Sequence, residues 1–140
     1  MIKRIFATTL LLLIISLMSL GSPIDEHYFT EAQRTWNSDA VFDGLVEQVA
    51  QVGVVDEYQT LWEATVLLKT VVKGKSTRRV SRVKVYFTGP NGQKGMMCPS
   101  PARIEPNLKA RFYAKRQDIL EFERVLFIQT GQWVVRKDAI

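Results

Sequence analysis

Two runs of alternating apolar and polar residues, within residues 61–87, predict the central element of this chain. Because successive side chains of a β-strand point to opposite faces, such alternation is typical of a strand with one buried face. A basic connection containing Gly74 joins the runs, which predicts a long β-hairpin. Val80 falls out of step with the second run and predicts a bulge near Ser81. The side chains expected to face the core are Trp62, Ala64, Val66, Leu68, Val72, Val83, Val85 and Phe87.

The segment before the hairpin carries a helix signal and a strand signal. Thr30 is a suitable N-cap for a short helix that ends at Trp36, and the Trp36 ring is then expected to dock on the body of the domain. A first strand follows at 40–49, with apolar residues on both of its faces. Gly44 in the middle of this strand predicts a bend or a close backbone contact.

Turn residues and further alternation divide the chain after the hairpin. The predicted segments are a loop at 88–95, a brief return to the core at 96–98, a strand at 108–115, a segment at 117–124 that fits either helix or strand, and an antiparallel pair at 125–129 and 132–136 around Thr130-Gly131. Five or six strands with one short helix and no alternating βαβ pattern predict a mainly β domain. Its antiparallel sheet is expected to close into a barrel or a sandwich.

The start of the chain predicts a segment separate from this domain. Lys3 and Arg4 precede an uncharged run at 5–20, and Ser19 and Gly21 are small residues suited to a cleavage site. We therefore expect a signal peptide at 1–21 and a single secreted or periplasmic domain at 22–140. The alternative is a retained run at 5–20 that anchors the protein in a membrane, since a spanning helix needs about 20 residues.

Residues able to carry out catalysis or bind metal are few and scattered. Cys98 is the only cysteine, so it is either a buried, inert thiol or an exposed one that pairs with another molecule. His27 is the only histidine, and its neighbours Asp25 and Glu26 are adjacent along the chain, whereas metal ligands must converge on one ion. No serine or cysteine has a base at recognisable spacing. The sequence predicts no metal site, no cofactor and no enzymatic activity.

Charge is distributed unevenly along the chain. Residues 22–63 contain nine acids and Arg34 as the single basic residue, whereas the chain from residue 64 onwards contains 16 basic and five acidic residues. The densest run places seven Lys and Arg within 69–84 and no acid. This run is either a solubilising face or an anion-binding surface, because clustered positive charge speeds association with polyanions. The residues predicted to contact a partner are Lys73, Lys75, Arg78, Arg79, Arg82, Lys84 and Tyr86, and those expected to extend the same side are Lys109, Arg111, Lys115 and Arg116.

Several motifs resemble one known family. Residues 38–46, Ser-Asp-Ala-Val-Phe-Asp-Gly-Leu-Val, are similar to the opening strand of netrin-like modules, the group that includes the tissue inhibitors of metalloproteinases. The similarity continues at 66–74, where a strand leads into Val-Val-Lys-Gly, and at 83–89, which ends Tyr-Phe-Thr-Gly. Cys98 ahead of the strand at 109–114 also fits the family pattern, and Asn107 stands where the family commonly has a Gly in a left-handed turn.

The resemblance implies an OB-like barrel of five strands with a flanking helix, in secreted proteins that bind other proteins or polyanions. Tyr86 and Tyr113 on the polar face of such a barrel could stack bases. Export, however, favours an acidic protein, an anionic glycan or a lipid surface over nucleic acid. The alternative function is metalloproteinase inhibition through the mature N-terminus and the loop at 89–95, although Ser22 replaces the zinc-chelating Cys of those inhibitors. Self-association of the acidic and basic halves is a third possibility, and the oligomeric state stays open.

Overall fold

Six strands and one short helix make up the described part of the chain. The structure, a computed structural model, describes residues 29–75, 77–92 and 101–138. The elements are α1 (Glu31–Trp36), β1 (Ala40–Val54), β2 (Gln59–Lys73), β3 (Arg82–Pro90), β4 (Lys109–Ile119), β5 (Phe122–Ile128) and β6 (Val134–Arg136), with 3-10 turns at Thr77–Arg79 and Gly131–Trp133. The predicted mainly β class with one short helix is confirmed. The predicted return to the core at 96–98 lies outside the described residues.

Five of the strands form a closed ring. β1 pairs with β2, β2 with β3, β3 with β5, β5 with β4, and β4 pairs back with β1. This closure gives the barrel-like body that the sequence predicts. The sheet is mixed and not wholly antiparallel, because β3 and β5 run parallel from Val85–Leu126 to Phe87–Ile128. Since all of β4 lies between these two strands in the chain, β5 can return to β3 in the parallel direction.

The core fills the inside of the ring. Phe42 of β1 and Phe112 of β4 are directly opposite in the ladder, both are completely buried, and their ring centroids lie 5.5 Å apart. Burying a ring of this size contributes about 2–3 kcal/mol. On β3, the predicted alternation is confirmed: Val83, Val85 and Phe87 belong to the core, and the residues between them face outward.

The irregular positions of the central hairpin have a simple explanation in the pairing of its strands. The β2–β3 pairing continues in register beyond Leu67–Arg82, because the Leu68 N–H donates to the Ser81 carbonyl at 2.9 Å. The predicted bulge near Ser81 is therefore wrong. Val80 is out of step because it precedes β3, and it is exposed.

Val72 corrects one predicted core position. Val41 pairs with Lys73 and Phe42 with Val71, so Val72 is the extra residue of a bulge. Its side chain is 40% exposed, and Val71 packs against the core instead. The alternation already shifts at Lys69, which is the extra residue of an earlier bulge because Asp43 pairs with Thr70 and Gly44 with Leu68. The parity read from the sequence therefore fails at Val71 and Val72.

The end of the chain differs from the predicted hairpin. β5 and β6 do not pair with each other; both pair antiparallel with β4, β5 with its second half and β6 with Ala110–Phe112. The Thr130-Gly131 pair leads into the 3-10 turn at Gly131–Trp133. This turn separates β5 from β6, but the chain keeps its direction along the edge of β4. The ambiguous segment at 117–124 is the hairpin between β4 and β5. Before β4, Asn107 has the predicted left-handed conformation, with φ of 73°.

The helix and the loop after β3 complete the comparison with the sequence. Thr30 caps α1 as predicted, in a capping box with Gln33. Trp36, however, does not dock on the barrel and is 84% exposed. The loop predicted from residue 88 begins later, because β3 continues through Pro90, whose position at the end of the strand avoids the loss of a ladder hydrogen bond.

Candidate functional site

The predicted basic residues come together at one end of the barrel. Lys73 ends β2, Lys75 follows in the turn, Arg78 and Arg79 lie in the 3-10 turn, and Arg82 begins β3. The turn is held closed by the Thr77 hydroxyl, which donates to the Gly74 carbonyl at 2.8 Å. Gly74 has φ of 108° and a Cβ there would lie 3.2 Å from both Ala40 Cβ and Thr77 Oγ1, so this tight turn requires glycine. We call Lys75, Arg78 and Arg79 the basic turn.

Some of the cations at this end form hydrogen bonds or ion pairs within the protein, and others do not. The Lys73 ammonium donates to the Thr35 and Trp36 carbonyls at the end of α1, at 3.0 and 3.4 Å. Arg82 pairs with Glu47 at 2.8 Å, and Lys84 lies 3.4 Å from Glu63. The three side chains of the basic turn are exposed. They make no hydrogen bond or ion pair with any residue that the structure describes, so their charge is available to a partner.

A groove lies beside the basic turn, where β3 and β5 diverge. The two strands pair only over three residue pairs, and upstream of Val85 and Leu126 a groove of about 300 Å³ separates them. Three cations line it: Lys84 of β3, Arg116 of β4 and Arg124 of β5. Thr77 and Val80 extend its wall to the basic turn, and apolar side chains of β3 and β5 form the rest. We call this the basic groove.

Arg116 and Arg124 join the site through non-local pairing. Arg116 is among the cations that the sequence predicts on the basic side. Arg124 is not, because it lies in the segment at 117–124, which the sequence leaves ambiguous between helix and strand. Only the parallel contact of β5 with β3 brings it beside Lys84. Arg124 has φ of 49°, and its N–H donates to Asp118 at 2.7 Å. A recognised hairpin turn at 120–121 would have been the available sequence signal.

Tyr86 lines the floor of the basic groove but is not an exposed contact residue. It is 6% exposed, its ring lies 5.1 Å from that of Phe122, and its hydroxyl donates to Glu63 at 2.5 Å. Burial and this bond to a carboxylate raise the pKa of Tyr86 to about 12. Tyr113 is also buried, beneath the Arg34 guanidinium. Neither tyrosine offers the exposed ring that base stacking needs, because outward-facing positions are covered by other elements.

The Tyr86→Phe variant is expected to lower the free energy of unfolding by about 2 kcal/mol at neutral pH, since it removes a hydrogen bond to a charged group. The pKa of Tyr86, about 12 in the folded protein, lies above the ordinary value of 10.0. Its contribution to stability is therefore complete below pH 10 and is lost as the pH rises towards 12. Urea unfolding of both proteins should show the difference shrinking over this range. A difference independent of pH would contradict the role of the hydroxyl.

A second apolar cluster covers the neighbouring outer face of the sheet. It consists of Leu61, Tyr86 and Phe127, and the side chains packed against it are Val52, Val55, Ile119, Phe122 and Val125. These residues come from the β1–β2 end, from β3 and from the β4–β5 hairpin. Their side chains pack against one another, so this part of the outer face is covered by the protein itself. The basic groove lies beside the cluster and shares Tyr86 and Val125 with it.

Arg111, which the sequence predicts on the basic surface, is instead paired with two acids. Its guanidinium donates to both carboxylate oxygens of Asp43, at 2.7 and 3.0 Å, and also to Glu31 at the start of α1. The bonds to Asp43 raise the pKa of Arg111 further above its ordinary value. Arg111 therefore joins the helix to the barrel and does not extend the basic surface. The sequence offers no local signal for this pair, because the two residues are 68 positions apart.

In the part of the chain that the structure describes, other candidate groups add no second site. Within 29–75, 77–92 and 101–138, no three His, Cys, Asp or Glu side chains are grouped so that they could hold a metal ion. Of the alternative inhibitory site, Ser22 and residues 93–95 lie outside the described residues, as do His27 and Cys98. Gly89 and Pro90 end β3. No helix in the described part of the chain is long and apolar enough to cross a membrane.

Comparisons of the sequence with family models and with curated proteins provide no relative from which a function follows. The resemblance to netrin-like modules therefore stays a prediction from the motifs, and the basic groove with the basic turn is the feature from which a function can be argued. No protein-family model matches this chain, and no curated protein sequence matches it.

Proposed function

We propose that this protein is an exported, non-enzymatic binding module of the netrin-like type that recognises a polyanionic partner through the basic turn and the basic groove. The observation that carries the proposal is the unpaired charge of Lys75, Arg78 and Arg79 beside a concave surface lined by three more cations. Clustered charge around a groove raises the local potential more than the same charge spread over a convex surface.

The charges that are already paired refine the predicted contact set. Glu47 and Glu63 offset Arg82 and Lys84, and Lys73 is engaged by the end of α1. Exposed ion pairs of this kind contribute little to stability, about 0–1 kcal/mol each, so an incoming anion can displace them at small cost. We therefore assign the main contacts to the unpaired Arg78 and Arg79 of the basic turn and to Arg124 in the groove. Lys75 adds its charge beside them, and Lys84 joins once an anion displaces Glu63.

The proposal is tested by neutralising the three main cations together. The variant Arg78→Gln, Arg79→Gln, Arg124→Gln is expected to bind a soluble polyanion, dextran sulfate, more weakly and with a salt dependence whose slope falls by about three ions, because each phosphate-like contact releases about one counterion. Isothermal titration at several salt concentrations measures both quantities.

A matched control separates a local site from net charge. Arg103, Lys109 and Arg136 are also exposed and line another groove, of about 450 Å³, in the company of Glu105 and Asp138. Neutralising these three removes the same charge, and we expect the salt slope to fall by less than one ion. Equal losses in the two triple variants would show that dextran sulfate responds only to net charge, and the proposed site would be wrong.

A further inference from the structure

Trp36 is an exposed aromatic residue that the fold itself does not use. It is 84% exposed, whereas Trp133 is buried and Trp62 packs against the core. The bulge residue Val72 lies beside it, and both line an open groove between α1 and β2. A large apolar side chain held in solvent has a cost that folding does not recover, so contiguous exposed apolar residues mark surfaces that bind something else.

This apolar patch is continuous with the basic turn. The Lys73 ammonium donates to the Trp36 carbonyl, and Lys73 leads directly to Gly74, which packs against Ala40 at the start of β1. The turn then passes through Lys75, Arg78 and Arg79 to Val80, which is 47% exposed. Trp36, Val72 and Val80 thus lie along one end of the barrel together with the unpaired cations.

We propose that this end of the barrel binds the surface of an anionic lipid bilayer, with Trp36, Val72 and Val80 entering the interface and the basic turn contacting the head groups. The inference rests on the proposed function and names its partner class. A soluble polyanion offers charge but nothing for three exposed apolar side chains to contact. An anionic bilayer offers both, since tryptophan is favoured at the membrane–water interface and Lys and Arg near the surface are attracted to anionic lipids.

The acidic residues near this end of the barrel do not neutralise the basic turn. Glu31 is paired with Arg111, and Asp39 accepts the backbone N–H of Arg116 at 2.7 Å. Both are engaged at the side of α1 and the start of β1. No ion pair joins either acid to a basic-turn residue in the part of the chain that the structure describes. Head-group contact by Arg78 and Arg79 therefore requires no existing bond to break.

Trp36→Ala is the decisive variant, and Tyr58→Ala is its matched control. Tyr58 is also exposed, at 53%, but it immediately precedes β2, whereas Lys73 ends this strand of 15 residues, roughly 50 Å farther along it. Both residues are more than half exposed, so both variants are expected to keep a urea midpoint close to that of the parent chain. All proteins carry the same N-terminus, because the apolar run at 5–20 could itself associate with lipid.

The probes are vesicles of phosphatidylcholine with and without phosphatidylglycerol, and dextran sulfate as the soluble anion. Trp36→Ala is expected to weaken binding to the anionic vesicles about tenfold, because it removes an aromatic side chain that enters the lipid interface, and to leave dextran sulfate binding unchanged. Arg78→Gln, Arg79→Gln is expected to weaken vesicle binding roughly 20-fold. Brominated lipid should quench the emission of the parent protein, and the quenching should be lost with Trp36.

The outcomes distinguish lipid binding from the more general binding of polyanions on which it rests. Equal vesicle binding by Trp36→Ala and Tyr58→Ala, or an absence of quenching by brominated lipid, would overturn the lipid assignment. Dextran sulfate binding that depends on Arg78, Arg79 and Arg124 would still support the polyanion module in that case. Vesicle binding that requires Trp36, phosphatidylglycerol and the basic turn together is the result that supports both.

Discussion

Replacing Arg111 with alanine is expected to lower the free energy of unfolding by about 4 kcal/mol. The guanidinium forms a bidentate salt bridge with the Asp43 carboxylate across the β1–β4 ladder, and Asp43 is only 8% exposed. Without Arg111, this carboxylate stays buried with no cation, and desolvation of an unpaired charge dominates the loss. Urea unfolding followed by circular dichroism measures the change.

Two control variants identify the buried pair as the cause. Asp43→Leu with Arg111→Met replaces both charges by apolar side chains of similar size, and it is expected to recover most of the stability that the single variant loses. Glu31→Gln removes only the exposed arm of the network and should cost less than about 1 kcal/mol. A loss below about 1 kcal/mol for Arg111→Ala would mean that solvent reaches Asp43 and that the pair behaves as a surface pair.

The same pair connects the fold to the proposed interface. Arg111 also bonds Glu31, so it fixes the first turn of α1 on the barrel, while the Lys73 ammonium fixes the last turn. Trp36, at the end of α1, is thereby held outward by contacts on both ends of a helix with no buried residue. A helix of six residues is too short to be stable alone. The position of Trp36 therefore depends on these two cations, which is why neither serves as a test of lipid binding.

The sequence predicts the local parts of the fold well, because they depend on local alternation. The alternation of β3, the Thr30 cap and the strand that contains Phe112 follow directly from neighbouring residues. Register does not. Val72 is exposed because β1 skips both Lys69 and Val72. Thr130-Gly131 fails as a hairpin because β4 is long enough to pair with both β5 and β6 along one edge. Each of these outcomes depends on a strand distant in sequence.

The candidate site divides in the same way. The basic turn is contiguous in sequence, so its charge was visible there, whereas Arg124 joins it only through the parallel contact of β5 with β3. The alternation predicts that Tyr86 points away from the barrel core, and it does. Its side chain is nevertheless buried, because the β4–β5 hairpin covers it. The sequence predicts that Trp36 docks on the body of the domain at the end of α1. Its exposure is the departure from sequence expectation that points to a function.

Gly44→Ala is expected to destabilise the protein by about 3 kcal/mol. A Cβ at this position would lie 2.4 Å from Val66 Cγ1 and 2.7 Å from the Leu67 carbonyl oxygen. Val66 is completely buried and Leu67 belongs to the β1–β2 ladder, so neither atom can withdraw freely. Alanine would otherwise gain about 0.5–1 kcal/mol over glycine within a strand, so the steric overlap decides the sign. The close backbone contact predicted from the sequence is thus the reason for this glycine.

Two comparisons test that explanation by chemical or thermal unfolding. Gly53→Ala lies on the same strand, but its nearest neighbour is the Leu120 methyl group at 3.3 Å, on a side chain that is half exposed and can move. We expect a change within about 0.5 kcal/mol there. Adding Val66→Ala to Gly44→Ala relieves one of the two overlaps and leaves the Leu67 carbonyl, so its rescue should be partial and offset by the cavity that it creates. Full recovery in this double variant would show that Val66 alone excludes a side chain, and that the β1–β2 backbone contact is not what requires glycine.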